Sequence, residues 1–354
     1  MATTKRLTRW LGGLSGPGLG LLVLLSAFVL LLAWRGQLHQ FLSLHNIQVL
    51  FHKNSIIGVI ALGMLLVIVS GGIDLSVGAV AGLASVVTIQ TYRFVYNGPE
   101  AALPAELARA WGWTWDGGQN PYLAGPLAVL AGLLAGTLCG LVNGLLITRL
   151  RVPPFVVTLG MLSVARGLAI GLAGRTRVSF KGPRPDWVDA LSRVSNDWLF
   201  FDPGVWSLFL LAALVWLFLS CTVLGRYIYA VGSNESAARL SGVPVERTKL
   251  LVYTVAGLLA GWAGVLLFAH GNGGDPNGGT GLELEVIAAV VIGGASLAGG
   301  VGNVGGTLLG VLLLGMLENG VTFFNVPLEA KYVLIGSVVV LNTALSGWRQ
   351  RRQE

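Results

Sequence analysis

The chain has 354 residues, of which 54% are hydrophobic and only 11% are charged, and its mean hydropathy is +0.74. Soluble domains draw about a quarter of their residues from Asp, Glu, Lys and Arg, so this composition excludes a water-soluble enzyme and indicates an integral membrane protein. The 51 glycines, about twice the average usage, follow no fixed period and point to close helix packing or broken helices within apolar spans.

Stretches without acidic or basic residues recur along the chain, and nearly all are long enough to cross a bilayer, which takes about 20 apolar helical residues. One further apolar stretch, 152–174, is interrupted only by Arg166, and the stretch 286–317 is long enough for two short crossings. We therefore predict an all-α membrane protein with about ten transmembrane helices in one domain over residues 1–354. The uncharged stretches are 11–34, 54–73, 75–92, 117–148, 203–225, 250–274, 286–317 and 332–348.

The basic residues predict the orientation, because short segments rich in Lys and Arg stay in the cytoplasm. Ten spans that start from a cytoplasmic N-terminus bring most of the basic segments to the inner side, which explains the net charge of +7 without nucleic-acid binding. The predicted cytoplasmic parts are the tail 1–16, the segment 225–249 and the C-terminus, while 93–119 and 175–202 are external. The external segments carry several tryptophans, which predict either an interfacial aromatic belt or a docking surface for an external partner.

Asp74 lies among polar and flexible residues, between two apolar spans. A carboxylate at that position is costly unless it faces water, a pathway or a partner. Two interpretations stay open. In one, Asp74 caps the third span at the cytoplasmic side; in the other, Gly71 and Gly72 let a discontinuous helix unwind and line a translocation pathway.

A glycine pattern recurs 228 residues later, where Gly299 and Gly300 match Gly71 and Gly72. Transporters often contain internal repeats with glycine-interrupted helices at corresponding positions. Chance alignment is the competing interpretation, since glycine is so frequent. The full match joins Gly71, Gly72, Gly78 and Gly82 to Gly299, Gly300, Gly306 and Gly310.

Arg166 is the other ionisable group placed inside a span. It is either a structural cation held by backbone carbonyls of a neighbouring broken helix or a residue of the pathway. A pair with Asp74 is a further hypothesis, although the predicted topology puts the two at different depths.

Residues that could carry catalysis are not grouped in the sequence. The four histidines, His39, His45, His52 and His270, have no metal-ligand spacing, so we expect no metal site. A phosphate loop needs a Gly-Lys dipeptide, and none occurs. We expect the chain to be no enzyme and to bind no cofactor; if ATP drives it, the ATPase is another chain.

The cytoplasmic segment 225–249 contains a candidate docking element. Asn234 is a plausible helix cap, small residues follow it, and Gly242 and Pro244 stop the helix. The pattern predicts a short surface helix that could dock into a groove on a partner and act as a lever. A solvated surface turn is the alternative.

Several motifs, in order from about residue 50 to 346, resemble the ribose/xylose/galactose-type permeases of bacterial ABC importers, in the branched-chain amino acid/ribose permease superfamily. They are GGIDLSVG (71–78), PFVVTLG (154–160) with Arg166-Gly167, YAVG (229–232), AARLSG (237–242), GLEL (281–284), IAAVVIGG (287–294) and SLAGGVG (296–302). In many ABC permeases the coupling motif reads Glu-Ala-Ala-x3-Gly. Here Ala237, Ala238 and Gly242 fit, whereas Ser236 separates Glu235 from them.

This resemblance implies a type II ABC importer-like subunit in the bacterial inner membrane, with both termini cytoplasmic. It implies partners: two ATP-binding subunits, an external sugar-binding protein, and a second permease copy or a paralogue, in contact with membrane lipid. Residues Glu235 to Gly242 would then couple ATP use elsewhere to import of a monosaccharide. The alternative is a secondary sugar transporter or facilitator that acts without an ATPase.

Overall fold

A computed structural model of the chain describes residues 29–98, 121–180, 184–194 and 199–324, together with Ser26, Val333, Gly336 and Ser337. Nearly every regular element in these ranges is a helix, and two short strands, β1 and β2, pair antiparallel. The elements are α1 (Leu38–Phe41), α2 (Leu44–Val69), α3 (Val77–Asn97), α4 (Pro121–Arg149), α5 (Pro154–Ala173), β1 (Val178–Ser179), α6 (Asp186–Ser192), α7 (Pro203–Cys221), α8 (Val223–Ser233), α9 (Glu235–Leu240), α10 (Val245–Gly271), β2 (Gly273–Gly274), α11 (Leu282–Ile292) and α12 (Val304–Phe323).

Helix α2 forms the centre of the bundle. Its most apolar stretch is 89% buried, and residues 59–69 are almost completely enclosed. A helix that is apolar on every face is typical of a core position in a large helical protein. Helices α7, α8, α10, α11 and α12 pack against it.

Three helices form the outside of the described bundle. The apolar windows of α4, α5 and α7 are only 33%, 28% and 33% buried, although they are as apolar as the core helix. Leucines such as Leu130, Leu168 and Leu210 are at least half exposed on them. Since large apolar surfaces are unstable in water, these faces fit the hydrocarbon of a bilayer.

Glycine lets α4 and α10 cross at very short distance. Gly136 and Gly140 on α4 face Gly257 and Gly261 on α10, and a Cβ atom added at Gly136 would lie 2.5 Å from the Cα of Gly261. Each helix thus carries a Gly-x-x-x-Gly pattern at the contact, the arrangement that brings membrane helices together. Part of the glycine excess is explained by this crossing.

The described residues do not establish the ten predicted spans. Six helices are long and apolar enough to cross a membrane, namely α2, α4, α5, α7, α10 and α12. The stretch 286–317, predicted to hold two short crossings, is divided into α11 and α12, and α11 with its 11 residues reaches about half the thickness of a bilayer. The predicted span 332–348 and most of 11–34 lie outside the described residues.

Candidate functional site

The first predicted helix break is present between α2 and α3. Helix α2 ends at Val69, and α3 begins at Val77. Asp74 lies in the connection and is only 2% exposed; its Oδ1 accepts hydrogen bonds from the backbone N–H of Ser76 at 2.8 Å and from its hydroxyl at 2.6 Å. The Ser76 hydroxyl in turn accepts a bond from Nδ2 of Asn143 on α4, at 3.0 Å. Asp74 therefore holds the non-helical segment at the start of α3 inside the bundle.

Arg166 extends from α5 to the loop that precedes α11. Its Nη1 donates to the backbone carbonyls of Pro276 at 2.7 Å and of Gly278 at 3.0 Å. Backbone carbonyls are thus the partners of Arg166, as the interpretation of a structural cation expects. Among the ion pairs of the described residues, none joins Asp74 to Arg166.

The two glycines that follow the first break let this loop approach α3. A Cβ at Gly82 would lie 2.5 Å from the carbonyl oxygen of Gly278 and 3.2 Å from Nη1 of Arg166. A Cβ at Gly78 would collide with the carbonyl of Gly279 and with a carboxylate oxygen of Glu283. Sequence reasoning did not single out Glu283 as a site residue, although it stands in the motif GLEL.

The second break separates α11 from α12, over residues 293–303. Asn303 starts α12, because its side chain accepts a bond from the backbone N–H of Gly306 at 2.7 Å. Gly299 and Gly300 have φ angles of +90° and +74°, a left-handed conformation that favours glycine. Gly71, in the first break, has φ +82°.

Both breaks have the same three features: a left-handed glycine, a non-helical connection, and a following helix whose glycines contact the backbone of another segment. Gly306 and Gly310 on α12 face Gly293, directly after α11, and Ala289 on α11, as Gly78 and Gly82 on α3 face the 278–279 loop. This correspondence agrees with the predicted repeat.

The short cytoplasmic helix predicted after Asn234 is present as α9. The side-chain oxygen of Asn234 accepts from the backbone N–H of Ala237 at 2.9 Å, and Gly242 follows the helix with φ +82°. The N–H of Val243 donates to the carbonyl of Ala238 at 3.0 Å, which closes the glycine-terminated end.

Ion pairs fix α9 to the start of α10. Lys249 Nζ lies 2.6 Å from Glu235 Oε2, and Arg239 Nη1 lies 2.5 Å from Glu246 Oε1. The hydrogen bond to Glu246 is the main reason that the pKa of Arg239 is raised above its usual range. Glu235 therefore bonds to its own chain, and Ala238 is buried, whereas Leu240 is 91% exposed.

A cavity of about 270 Å³ opens beside α9. Charged side chains of α9, of α10 and of the α4–α5 connection line it together with prolines. The residues are Ile147, Thr148, Arg151, Val152, Pro153, Pro154, Glu235, Arg239, Val245, Glu246 and Lys249. A groove with both charges and apolar walls next to an exposed helix is suited to a protein partner.

The structure also brings together three residues that the sequence left apart. Nδ1 of His52 lies 2.9 Å from Oδ2 of Asp202, and the ring of His52 stacks on that of His270 with 3.7 Å between centroids. Their potential ligand atoms all lie within 4.8 Å of one another. Oδ1 of Asp202 already accepts from two backbone N–H groups at the start of α7, so the cluster has a structural role as a helix cap.

The external segments are only partly described. Trp187 on α6 does not stand free: its ring lies 5.8 Å from that of Phe268 on α10, and it packs beside Gly125. The predicted belt or docking tryptophans Trp111, Trp113, Trp115 and Trp198 lie outside the described residues.

Comparison with known proteins relates these features to transport. A model of the family described as branched-chain amino acid transport system / permease component matches residues 46–343. The ribose import permease protein RbsC of Bacillus subtilis is 35% identical, with 93% of this chain and 91% of the relative covered. The fructose import permease protein FrcC of Rhizobium meliloti is 33% identical, over 87% and 79%. The xylose transport system permease protein XylH of Escherichia coli is 31% identical, over 96% and 95%.

No solved structure matches the chain. The family match spans both helix breaks and α9, and the relatives are covered over most of their length. The chain therefore belongs to the branched-chain amino acid transport system permease family, and it is a multi-pass membrane permease.

Proposed function

We propose that this chain is the membrane-spanning subunit of an ATP-driven importer of a monosaccharide, and that α9 is the element through which a separate cytoplasmic ATPase acts on it. The chain would bind no cofactor; ATP would be used by the partner. An external sugar-binding protein would deliver the substrate, and a second permease would complete the pathway. The names of the relatives, which include ribose, fructose and xylose permeases, support the substrate class.

The observation that carries the proposal is the exposure of Leu240. A leucine that is 91% exposed on a six-residue helix contributes nothing to the folding of its own chain. Burial of a full leucine side chain in a partner contributes about 1.5 to 3 kcal/mol. An exposed anchor beside a charged groove is thus the arrangement that a partner-binding lever requires.

The attachment of α9 supports its role as a lever. Asn234 caps its start, a glycine turn closes its end, and ion pairs at both ends join it to α10. A helix held at several points moves as one body, so a push on Leu240 would displace the adjoining helices rather than deform α9 alone.

The two helix breaks support a pathway inside the same subunit. Transporters place their substrate route near interrupted helices, because only there can backbone polar groups line a cavity. Asp74 holds the first break through Ser76, and Arg166 holds the loop 276–278 beside α3 through backbone carbonyls, so in the described residues both charged side chains bind parts of the broken helices.

The test is co-purification and transport with the variant Leu240→Asp. We expect the variant to insert into membranes and to unfold at the same temperature as the wild-type chain. The amount of ATPase that co-purifies with it should fall on the order of tenfold. ATP-dependent sugar uptake by proteoliposomes that contain the whole complex should fall in parallel. Leu44→Asp is the matched control. Leu44 is also exposed, at 55%, but it lies at the start of α2, the end away from α9.

Uptake by the permease alone would overturn the importer proposal in favour of a facilitator. Normal ATPase retention by the Leu240→Asp variant would overturn the role of α9. An equal loss in the Leu44→Asp control would show that a new charge, rather than the loss of the anchor, caused the effect.

A further inference from the structure

Three chain segments meet without side chains between them at the end of α8. Gly232, one residue before the end of that helix, leaves no room for a Cβ atom, which would collide with the carbonyl oxygen of Val69 and lie 2.7 Å from the backbone nitrogen of Gly300. Val69 is the last residue of α2, and Gly300 belongs to the second break. We call the contact of Gly71, Gly232, Gly299 and Gly300 the glycine junction.

A hydrogen bond joins the two breaks at this junction. The backbone N–H of Gly300 donates to the carbonyl of Val69 at 2.9 Å, directly beside Gly232. A Cβ at Gly299 would lie 2.5 Å from the carbonyl oxygen of Gly232 and 3.0 Å from the Cα of Gly71. The sequence repeat thus has a spatial counterpart: Gly71 and Gly299, which correspond in the repeat, touch each other and the end of α8.

Helix α8 is tied to the second break at another point. The hydroxyl of Tyr229, one turn before the junction, donates to the carbonyl of Gly302 at 2.7 Å. Tyr229 and Gly232 therefore hold the turn 296–302 against the last turn of α8.

One residue separates α8 from the proposed lever. Asn234 is both the last cap of α8 and the first cap of α9. No flexible loop lies between them, so a displacement of α9 has to move the end of α8. Where backbones touch this closely, no long side chain lies between them that could take up a shift by changing its rotamer.

We infer that Gly232 and Tyr229 are positioning residues of transport, which carry a displacement of α9 to both helix breaks through the glycine junction. This inference rests on the proposed function of α9. The turn 296–302 is the element that responds, because its glycines can change backbone angles at low cost. Sites that act on one another through such an element are coupled by about 1 to 3 kcal/mol, a factor of 5 or more.

The experiment measures the accessibility of the turn in the assembled complex. Ala298 is exposed on the turn, and Ala298→Cys in a chain with Cys139→Ser and Cys221→Ser provides a single thiol for a maleimide probe. The labelling rate is measured with and without a non-hydrolysable ATP analogue. We expect the analogue to change the rate in the otherwise wild-type chain, and Tyr229→Phe to remove most of that change.

Two further variants keep the inference falsifiable. Tyr227→Phe, on the same helix, is the matched control and should keep the full change in rate, since the Tyr227 hydroxyl makes no bond to the turn. Gly232→Ala should separate the junction and lower sugar uptake per ATP hydrolysed by about fivefold or more. If Gly232→Ala fails to assemble, Tyr229→Phe decides alone.

Nucleotide-dependent labelling that persists in Tyr229→Phe would overturn the inference, and so would a rate that does not respond to nucleotide in the otherwise wild-type complex. Both results require an ATPase that co-purifies with the chain. Failure of the ATPase to co-purify at all contradicts the proposed function instead, which separates the two cases.

Discussion

The guanidinium of Arg166 donates from Nη1 to the backbone carbonyl oxygen of Gly278 over 3.0 Å, and so connects α5 to the loop before α11. A second bond from the same nitrogen reaches the carbonyl of Pro276. The carbonyl dipoles stabilise a cation inside a span, and the cation in turn satisfies the hydrogen-bonding capacity of these carbonyls. The carboxylate of Asp74 is engaged elsewhere, with Ser76.

Substitution of Arg166 tests this arrangement. We expect Arg166→Met to lower the free energy of unfolding by about 1 to 2 kcal/mol, because two partly buried carbonyls lose a charged donor. Arg166→Lys should recover part of the loss, since an ammonium group can still donate. Thermal unfolding of the purified chain in detergent measures both.

The exchange Asp74→Arg with Arg166→Asp should restore neither stability nor uptake, because the two side chains have separate partners. Recovery in this double variant would mean that they form a pair.

The crossing of α4 and α10 predicts opposite effects for two glycine replacements. Gly257→Ala places a methyl group against the backbone of Gly136 and Gly140, so we expect a loss of more than about 1 kcal/mol of stability. Gly167→Ala, on the open face of α5, should instead stabilise the helix by about 0.5 to 1 kcal/mol. Melting temperatures that shift in the same direction would contradict the close packing of these helices.

Asp202 combines a helix cap with a buried partner for His52. Asp202→Ala should cost about 2 kcal/mol or more, because two N–H groups of α7 and the His52 ring lose their acceptor at once. Asp202→Asn keeps an acceptor for the cap and should cost less. An Asn variant as unstable as the Ala variant would refute the capping role.

Glu235 should matter less than its place in the coupling motif implies. Its carboxylate pairs with Lys249 and Arg239 at the surface, where such pairs contribute up to about 1 kcal/mol. We expect Glu235→Gln to change stability by less than that amount, with a smaller difference in 1 M KCl, and to retain far more ATPase than Leu240→Asp does. An equally severe loss of ATPase would show that Glu235 contacts the partner directly.

The local pattern was sufficient for some elements. Asn234, the small residues after it and Gly242 predicted α9 because caps and stops act within one helical turn. The two glycine breaks were also predictable, since a backbone with positive φ strongly favours glycine. The orientation of the termini stays a prediction, as does the role of the outer tryptophans.

Other features could not be predicted, because they depend on residues far apart in the chain. The interval between His52 and Asp202 is 150 residues, and that between Gly71 and Gly232 exceeds it. The division of the apolar stretch 286–317 was expected, but not that its first part would be a helix of only 11 residues.

The sequence by itself determined that this is a glycine-rich helical membrane protein with broken helices, because hydropathy, glycine breaks and helix caps are properties of neighbouring residues. Only the tertiary structure decided that Arg166 binds carbonyls rather than Asp74, that Glu235 pairs within its own chain, and that both breaks meet the end of α8 at Gly232. Which partners a buried polar or backbone group finds is set by the approach of distant helices, and that approach depends on how closely their small residues allow the backbones to pack.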